Sequence, residues 1–202
     1  MAIKINIQPT QESLVGQSHW WGFPDLPVDV EWPVNEEGEL LTFICQVRLE
    51  EIAALDLEGL LPHEGMMWFF ADMDYFLGDD EAQCHGIGEW EYGTYKVIYA
   101  KGTDHLCTHE YYWENGEVAV LEAERLSFEP SENEEEFGFK LLGMPAMTEG
   151  YENEGMVSLL QLDEEERWMM RFFDSGTINF MIPVEALLRR DFNECLLILH
   201  SS

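Results

Sequence analysis

An ordered set of short signals occurs twice in this chain and constrains its fold more than any other feature. Each occurrence begins with Gly-x-Pro, at Gly22-Phe-Pro24 and Gly143-Met-Pro145. An apolar run holding one glutamine follows, residues 40–49 with Gln46 and residues 155–163 with Gln161. A glycine then opens a second apolar run, at Gly65 and at Gly176. Runs this short and this apolar read as strands buried on both faces. The recurrence predicts two divergent strand-rich halves, about 1–71 and 137–202, with a connecting insert over about 72–136. A chain of 202 residues suffices for both halves to pack as a single domain. The expected fold class is α+β, mainly β, with a few short helices.

Residues 2–8 alternate apolar and polar, which predicts a strand with one buried face. Pro24, Pro27 and Pro33 exclude a long helix over 16–33. That segment is expected to lie extended on the core, anchored by Trp20, Trp21 and Trp32. Leu49, Ile52, Ala53 and Leu55 stand at helical spacing and predict a short helix between the first two apolar strands. Residues 72–93 read mostly as loop and 95–100 as a strand. Asn115-Gly116 between β-prone runs, 107–113 and 118–126, predicts a hairpin. Residues 129–136 read as a charged loop, 168–173 as a further strand, and 192–200 as a closing strand. Pro183 opens a predicted helix over 183–190. Arg189 and Arg190 fall in its last turn, where cations suit the helix dipole.

Charge decides which partners are admissible. There are 41 acidic against 10 basic residues, a formal net charge of −31. Repulsion opposes non-specific binding to nucleic acid or to an anionic membrane, and the same field attracts basic proteins and cations. The charge would equally serve solubility alone. No apolar run reaches the roughly 18 residues of a membrane span. The first residues lack the charged and apolar regions of a secretory signal. Cys45, Cys84, Cys107 and Cys195 are scattered, as expected of reduced thiols in a cytoplasmic protein. Nothing in the sequence specifies an oligomeric state.

The second occurrence with its flanks is also familiar. It comprises Lys140-Leu-Leu-Gly-Met-Pro145, Leu159-Leu-Gln-Leu-Asp163, Asp174-Ser-Gly-Thr-Ile-Asn-Phe-Met-Ile182 and Val184-Glu-Ala-Leu-Leu-Arg-Arg-Asp-Phe192. Upstream stand Gly22-Phe-Pro-Asp-Leu-Pro27, Glu31-Trp-Pro33, Leu41-Thr-Phe-Ile-Cys-Gln46 and Leu61-Pro-His-Glu-Gly-Met-Met-Trp-Phe-Phe70. In this order the set resembles the YwqG-like family of bacterial proteins, over most of the chain. The resemblance implies a mainly β fold with a few short helices, in a cytoplasmic protein. It implies no activity and no catalytic residues. Residues 72–93 match least, so any specialisation of this member is expected there.

Several constellations invite a chemical reading. His105, Cys107 and His109 would share one face of a strand, and all three are zinc ligands by type, with Cys84-His85 a source of a fourth. Spacing of two along a straight strand separates their tips, so no metal is expected. Asp72, Asp74 and the run Asp79-Asp-Glu81 suggest calcium, but Phe76 and Leu77 stand where an EF-hand requires a ligand and a glycine. A solvated acidic loop is the plainer reading. There is no Gly-x-Ser-x-Gly, no Walker loop and no Gly-x-Gly-x-x-Gly, so no catalytic residue and no cofactor is expected. Adjacency of Ser18 and His19 does not make a triad.

Gln46 and Gln161 are polar residues in apolar strands. Each either ties down neighbouring backbone or faces a cleft between the halves. In the second case Asp174 and Gly176 would stand at the rim, and Trp68 would join a binding surface. Trp20 and Trp21 have the same two readings, core or surface. The leading functional expectation is a non-catalytic interaction protein. Its acidic surface would bind a basic protein partner, as an inhibitor or immunity-type binder does. The alternative is a small-ligand-binding protein or enzyme with a pocket between the two halves, using Gln46, Gln161, Asp174, Gly176 and Trp68.

Overall fold

Strands dominate the computed structural model, which describes residues 1–113, 115–147 and 154–201. In chain order they are β1 (Ile3–Pro9), β2 (His19–Trp20), β3 (Asp25–Pro27), β4 (Thr42–Arg48), β5 (Met66–Ala71), β6 (Gly88–Glu89) and β7 (Tyr95–Ala100). Then come β8 (Leu106–Thr108), β9 (Glu124–Pro130), β10 (Lys140–Leu141), β11 (Met156–Asp163), β12 (Gly176–Pro183) and β13 (Leu196–Ser201). The α-helices α1 (Leu49–Ile52) and α2 (Val184–Arg189) are short. No described helix is long and apolar enough to cross a membrane.

Among the described residues, eleven strands form one curled sheet in the order β6-β13-β12-β11-β10-β1-β9-β2-β4-β5-β7. Its centre is the antiparallel pair β1 and β9, with Ile3 opposite Pro130, Asn6 opposite Ser127 and Pro9 opposite Glu124. β3 and β8 form a separate two-stranded ribbon.

The apolar runs are explained by cover on both faces. Along β5, Met67, Phe69 and Ala71 join the main core, while Met66, Trp68 and Phe70 point to a second cluster with Leu26, Leu41 and Phe43. Alternation of side chains along a strand sends them to opposite faces, so both sets must be apolar. The second cluster is roofed by the proline-rich segment. There Trp32 packs against it and donates its indole N–H to the Leu41 carbonyl at 2.7 Å.

Several details occur twice. β4 and β11 each carry one bulge, between Phe43 and Cys45 and between Ser158 and Leu160. Trp21 and Leu142 both have positive φ, 54° and 61°, and so do the glycines after them, 77° at Gly22 and 82° at Gly143. A Cβ on Gly22 would lie 2.6 Å from Ala123 Cβ, and one on Gly143 would lie 2.8 Å from Ala2 Cβ.

Two expectations need correction. Residues 168–173 are not a strand. A 3-10 turn, Glu166–Trp168, occupies the start, and Met169 and Phe173 have φ of 56° and 66°, outside the β region. The segment 72–136 is also more than a connection, since it supplies β7 and the central strand β9. β9 is half solvated, and its alternation is hard to see among so many acidic residues.

Lys140 is 1% exposed in β10 and donates to the carbonyls of Glu134 at 2.6 Å and Glu136 at 2.8 Å. Burial lowers its pKa from 10.5 to about 8, against the opposing pull of Glu136, Glu135, Glu134 and Asp163. Between these two values the unfolded chain binds the proton that the folded chain has lost. This group therefore adds stability as pH rises from about 8 towards 10.5. Buried Cys45 and Cys195, whose pKa values are raised, act the other way above pH 9. The difference between wild type and Lys140→Met cancels their effect. Melting curves at pH 7 and pH 10 should show that difference moving in favour of the wild type. An unchanged difference would refute the assignment.

Candidate functional site

An Asn-Gly turn and its flanks build one wall of a cleft. Tyr112 bridges Val118, Gly116 N–H bonds to the Trp113 carbonyl at 2.8 Å, and Ala119 N–H to that of Tyr111 at 3.2 Å. The turn of the predicted hairpin is present, but the strands expected to flank it pair elsewhere, β8 with β3 and β9 with β1 and β2; Glu114 lies outside the described residues. The turn segment is tied to the first Gly-x-Pro at both ends. His109 N–H donates to the Pro24 carbonyl at 3.0 Å, and Gly22 N–H donates to that of Leu121 at 3.0 Å. Its large side chains remain exposed, Tyr111 at 40% and Trp113 at 55%.

Trp32 lines the same cleft, with Leu41 and Phe43 at the entry to β4. Trp21 is also in the lining, and the 3-10 turn Asp74–Leu77 and Asp79 complete the site. The cleft is open to solvent and has a volume of about 350 Å³. Thr42 Oγ1 donates to Asp74 Oδ1 at 2.6 Å, and Glu81 N–H donates to Asp79 Oδ1 at 3.0 Å. Burial pushes the Asp74 pKa up. The Thr42 bond opposes this, and the charges of Asp72, Asp79 and Glu39 reinforce it. Aromatic ring faces are electronegative, as are these carboxylates. The site suits a cation on an apolar stem and disfavours an anion.

A smaller cavity of about 250 Å³ lies at the second Gly-x-Pro, lined by Gly143, Met144, Met156, Val157 and Val184 with Glu58 and Glu134. It has no aromatic wall.

The ligand-binding candidates Gln46, Gln161, Asp174, Gly176 and Trp68 lie elsewhere. Gln46 is buried beside β5. Its Oε1 accepts from Asp25 N–H at 2.9 Å and from the Trp68 indole N–H at 3.1 Å. Its Nε2 donates to the Gln17 carbonyl and to Asp25 Oδ2, both at 2.9 Å. Gln161 repeats the scheme on β11. Its Oε1 accepts from Ala146 N–H at 2.8 Å, and its Nε2 donates to the carbonyls of Gly138 at 2.9 Å and Glu136 at 3.2 Å. Both amides hold their own chain in place, and neither lines the large cleft. Trp68 is wholly buried. Asp174 is exposed in a turn, and Gly176 packs against the carbonyls of His200 and Phe172.

His105 and Cys107 are exposed and His109 half-buried. Among the described residues no group of three or more His, Cys, Asp or Glu is placed to hold a metal ion. Nor do Ser18 and His19 cooperate. Ser18 Oγ accepts from Arg48 N–H at 2.8 Å, while His19 Nδ1 lies 2.7 Å from the Trp21 carbonyl and Nε2 lies 3.9 Å from Asp25 Oδ2. Burial lowers the His19 pKa, against the pull of that carbonyl and of Asp25.

Of the cleft residues, sequence reasoning had singled out Trp21, Trp32 and the acidic run at Asp74 and Asp79. It missed Tyr111 and Trp113 as site residues. The available signal was a pair of aromatics beside an Asn-Gly turn, where nothing apolar is needed for a core.

A model of a family described as a domain of unknown function (DUF1963) matches residues 18–200, which include the whole cleft. No curated protein matches the chain.

Proposed function

We propose, from the premise that this chain belongs to the DUF1963 family of domains of unknown function, that it is a non-catalytic interaction protein. Its aromatic, carboxylate-rimmed cleft takes a cationic side chain of a basic protein partner, as an inhibitor or immunity-type binder would. The observation that carries this reading is the cleft itself. Tyr111 and Trp113 are kept at the surface and line the same cleft as Trp32, Phe43, Asp74 and Asp79. The net charge of −31 adds long-range attraction for the same class of partner. A cytoplasmic location and the YwqG-like resemblance remain part of this proposal.

The two-halves reading belongs here as well. It is supported by the paired bulges, the paired positive-φ residues and the matching bonds of Gln46 and Gln161. Ala2 and Ala123 stand as far apart in sequence as Gly22 and Gly143. This support requires the second half to begin near residue 123 rather than 137, which makes β1 and β9 counterparts, like β4 and β11. The hairpin is then an elaboration of one half, which gives one cleft its aromatic wall.

The test is titration with a short fluorescent peptide of mixed lysine and arginine. Affinity should fall steeply with added salt, because exposed charges are screened within about 8 Å at physiological ionic strength. Trp113→Ala and the pair Asp74→Asn with Asp79→Asn should each weaken binding by roughly tenfold, about 1.4 kcal/mol. Equal binding by wild type and these variants would assign the attraction to diffuse charge and defeat the proposal.

A further inference from the structure

We infer that the partner's footprint extends past the cleft onto an exposed apolar ledge, Met169 and Phe173, and that the basic segment bound there carries large apolar side chains beside its cations. The inference rests on the functional reading above and deepens it. From Trp168 to Phe173 burial alternates. Trp168, Met170 and Phe172 are buried, while Met169, Arg171 and Phe173 are exposed. Single exposed apolar residues are ordinary on a protein surface. These two are set apart by their backbone. Met169 has a φ of 56° and Phe173 a φ of 66°, a left-handed conformation that disfavours a side chain and that glycine or asparagine adopts most readily. Such positions persist where surroundings or function demand them. The core demands little here, since Met169 is 66% exposed and Phe173 43%.

The ledge begins where the cleft ends. Leu77 and Asp79 both line the cleft. A Cβ on Gly78, between them, would lie 3.5 Å from Met169 Cε, so the thioether lies over that glycine. Phe173 meets Phe76 edge to face, with ring centroids 5.7 Å apart. Arg171 N–H donates to the Phe76 carbonyl at 3.1 Å and fixes the two segments together. Charge selects the occupant. Asp79, Asp80 and Glu81 directly follow Gly78, and Asp174 directly follows Phe173. The Arg171 guanidinium is matched by Glu166 at 2.9 Å. A second copy of a chain with net charge −31 is repelled from this surface, and a basic segment is drawn to it. The flexible, polarisable methionine suits apolar side chains of several shapes.

The experiment compares two acetylated, amidated peptides of equal charge. In one, lysines and arginines alternate with serine; in the other, leucine replaces each serine. Binding to the full chain is followed by calorimetry at one fixed salt concentration. The leucine peptide should bind roughly tenfold more tightly. Met169→Asn with Phe173→Asn should abolish that preference. Asparagine accepts the left-handed backbone, so Met169→Asn alone should melt no lower than wild type while losing part of the preference. A marked fall in its melting temperature would show that the methionine serves the fold. Equal affinities of the two peptides for the wild type would show that the ledge is unused. Either result overturns this inference and leaves the interaction reading in place. Sedimentation at high salt supplies a further check, since self-association of the wild type that Met169→Asn abolishes would assign the ledge to a second copy and overturn the inference too. Failure of both peptides to bind would overturn both readings.

Discussion

Gln46→Leu should lower the melting temperature by about 10 °C, more than any other single polar substitution in the sheet. The side chain joins four groups, Asp25 N–H, the Asp25 carboxylate, the Gln17 carbonyl and the Trp68 indole N–H, of which the carboxylate alone also accepts from other donors. Leucine fills the volume but meets none of them. A buried polar group left without its partner costs about 1–3 kcal/mol, so a combined loss of about 3–5 kcal/mol follows. For a chain of this size each kcal/mol moves the midpoint by about 2–4 °C. Asp25 makes the cost higher here than at the second glutamine. It is 1% exposed and also holds Gly16 N–H at 2.7 Å and Thr108 Oγ1 at 2.5 Å, so disturbing it loosens β8. Gln161→Leu frees only backbone groups and should cost about half as much. Thermal melts of both variants decide the point. A smaller loss at Gln46 than at Gln161 would show that the Asp25 network is not supporting the fold.

Gly65→Ala is expected to be comparably severe for a different reason. Gly65 opens β5 with a φ of 93°, a region closed to residues with a side chain. A Cβ there would lie 2.3 Å from the Ala100 carbonyl oxygen and 2.8 Å from Lys101 Cα, both backbone atoms that no rotamer change can move. The β5–β7 ladder pairs Met66 with Ala100, so relief requires the edge strand to separate. Overpacking costs about 1–3 kcal/mol, and the backbone conformation adds about 1–2 kcal/mol more. Yield of soluble protein and the urea midpoint should both fall. Hydrogen exchange should show the loss of protection concentrated in Tyr95–Ala100. A variant with normal β7 protection would contradict the steric argument.

How much of this was legible in the sequence depended on where burial lies. The apolar run after Gly65 is a strand, Met66–Ala71, as expected, because both of its faces are covered and nothing polar interrupts it. α2 was read almost to the residue because Pro183 marks its start. Trp168 misled, since an apolar stretch beside it resembles a strand, and only backbone geometry shows the turn. The site was half legible. Its acidic rim falls within residues 72–93, the segment that departs most from the family resemblance. The pairing of that rim with Tyr111 and Trp113 was invisible, because the residues come together only through the attachment of the hairpin to Gly22 and Pro24. Gln46 and Gln161 stood out correctly as unusual. What they do is shared between side-chain and backbone partners, and spacing alone does not distinguish that from a site.

The placement of β1 at the middle of the sheet bears on how the chain reaches this fold. Ile3–Pro9 finds its neighbours only in β9 and β10, beyond residue 123. During synthesis the first strand therefore waits, with both edges unpaired, until more than half of the chain has been made. Closing so long a loop is slow, and an unpaired strand is a ready template for the wrong partner. Lys4 stands near the start of that waiting segment, and the acidic character of the rest of the chain opposes close approach of neighbouring nascent copies. That repulsion acts on the unfinished chain before it acts on the finished one.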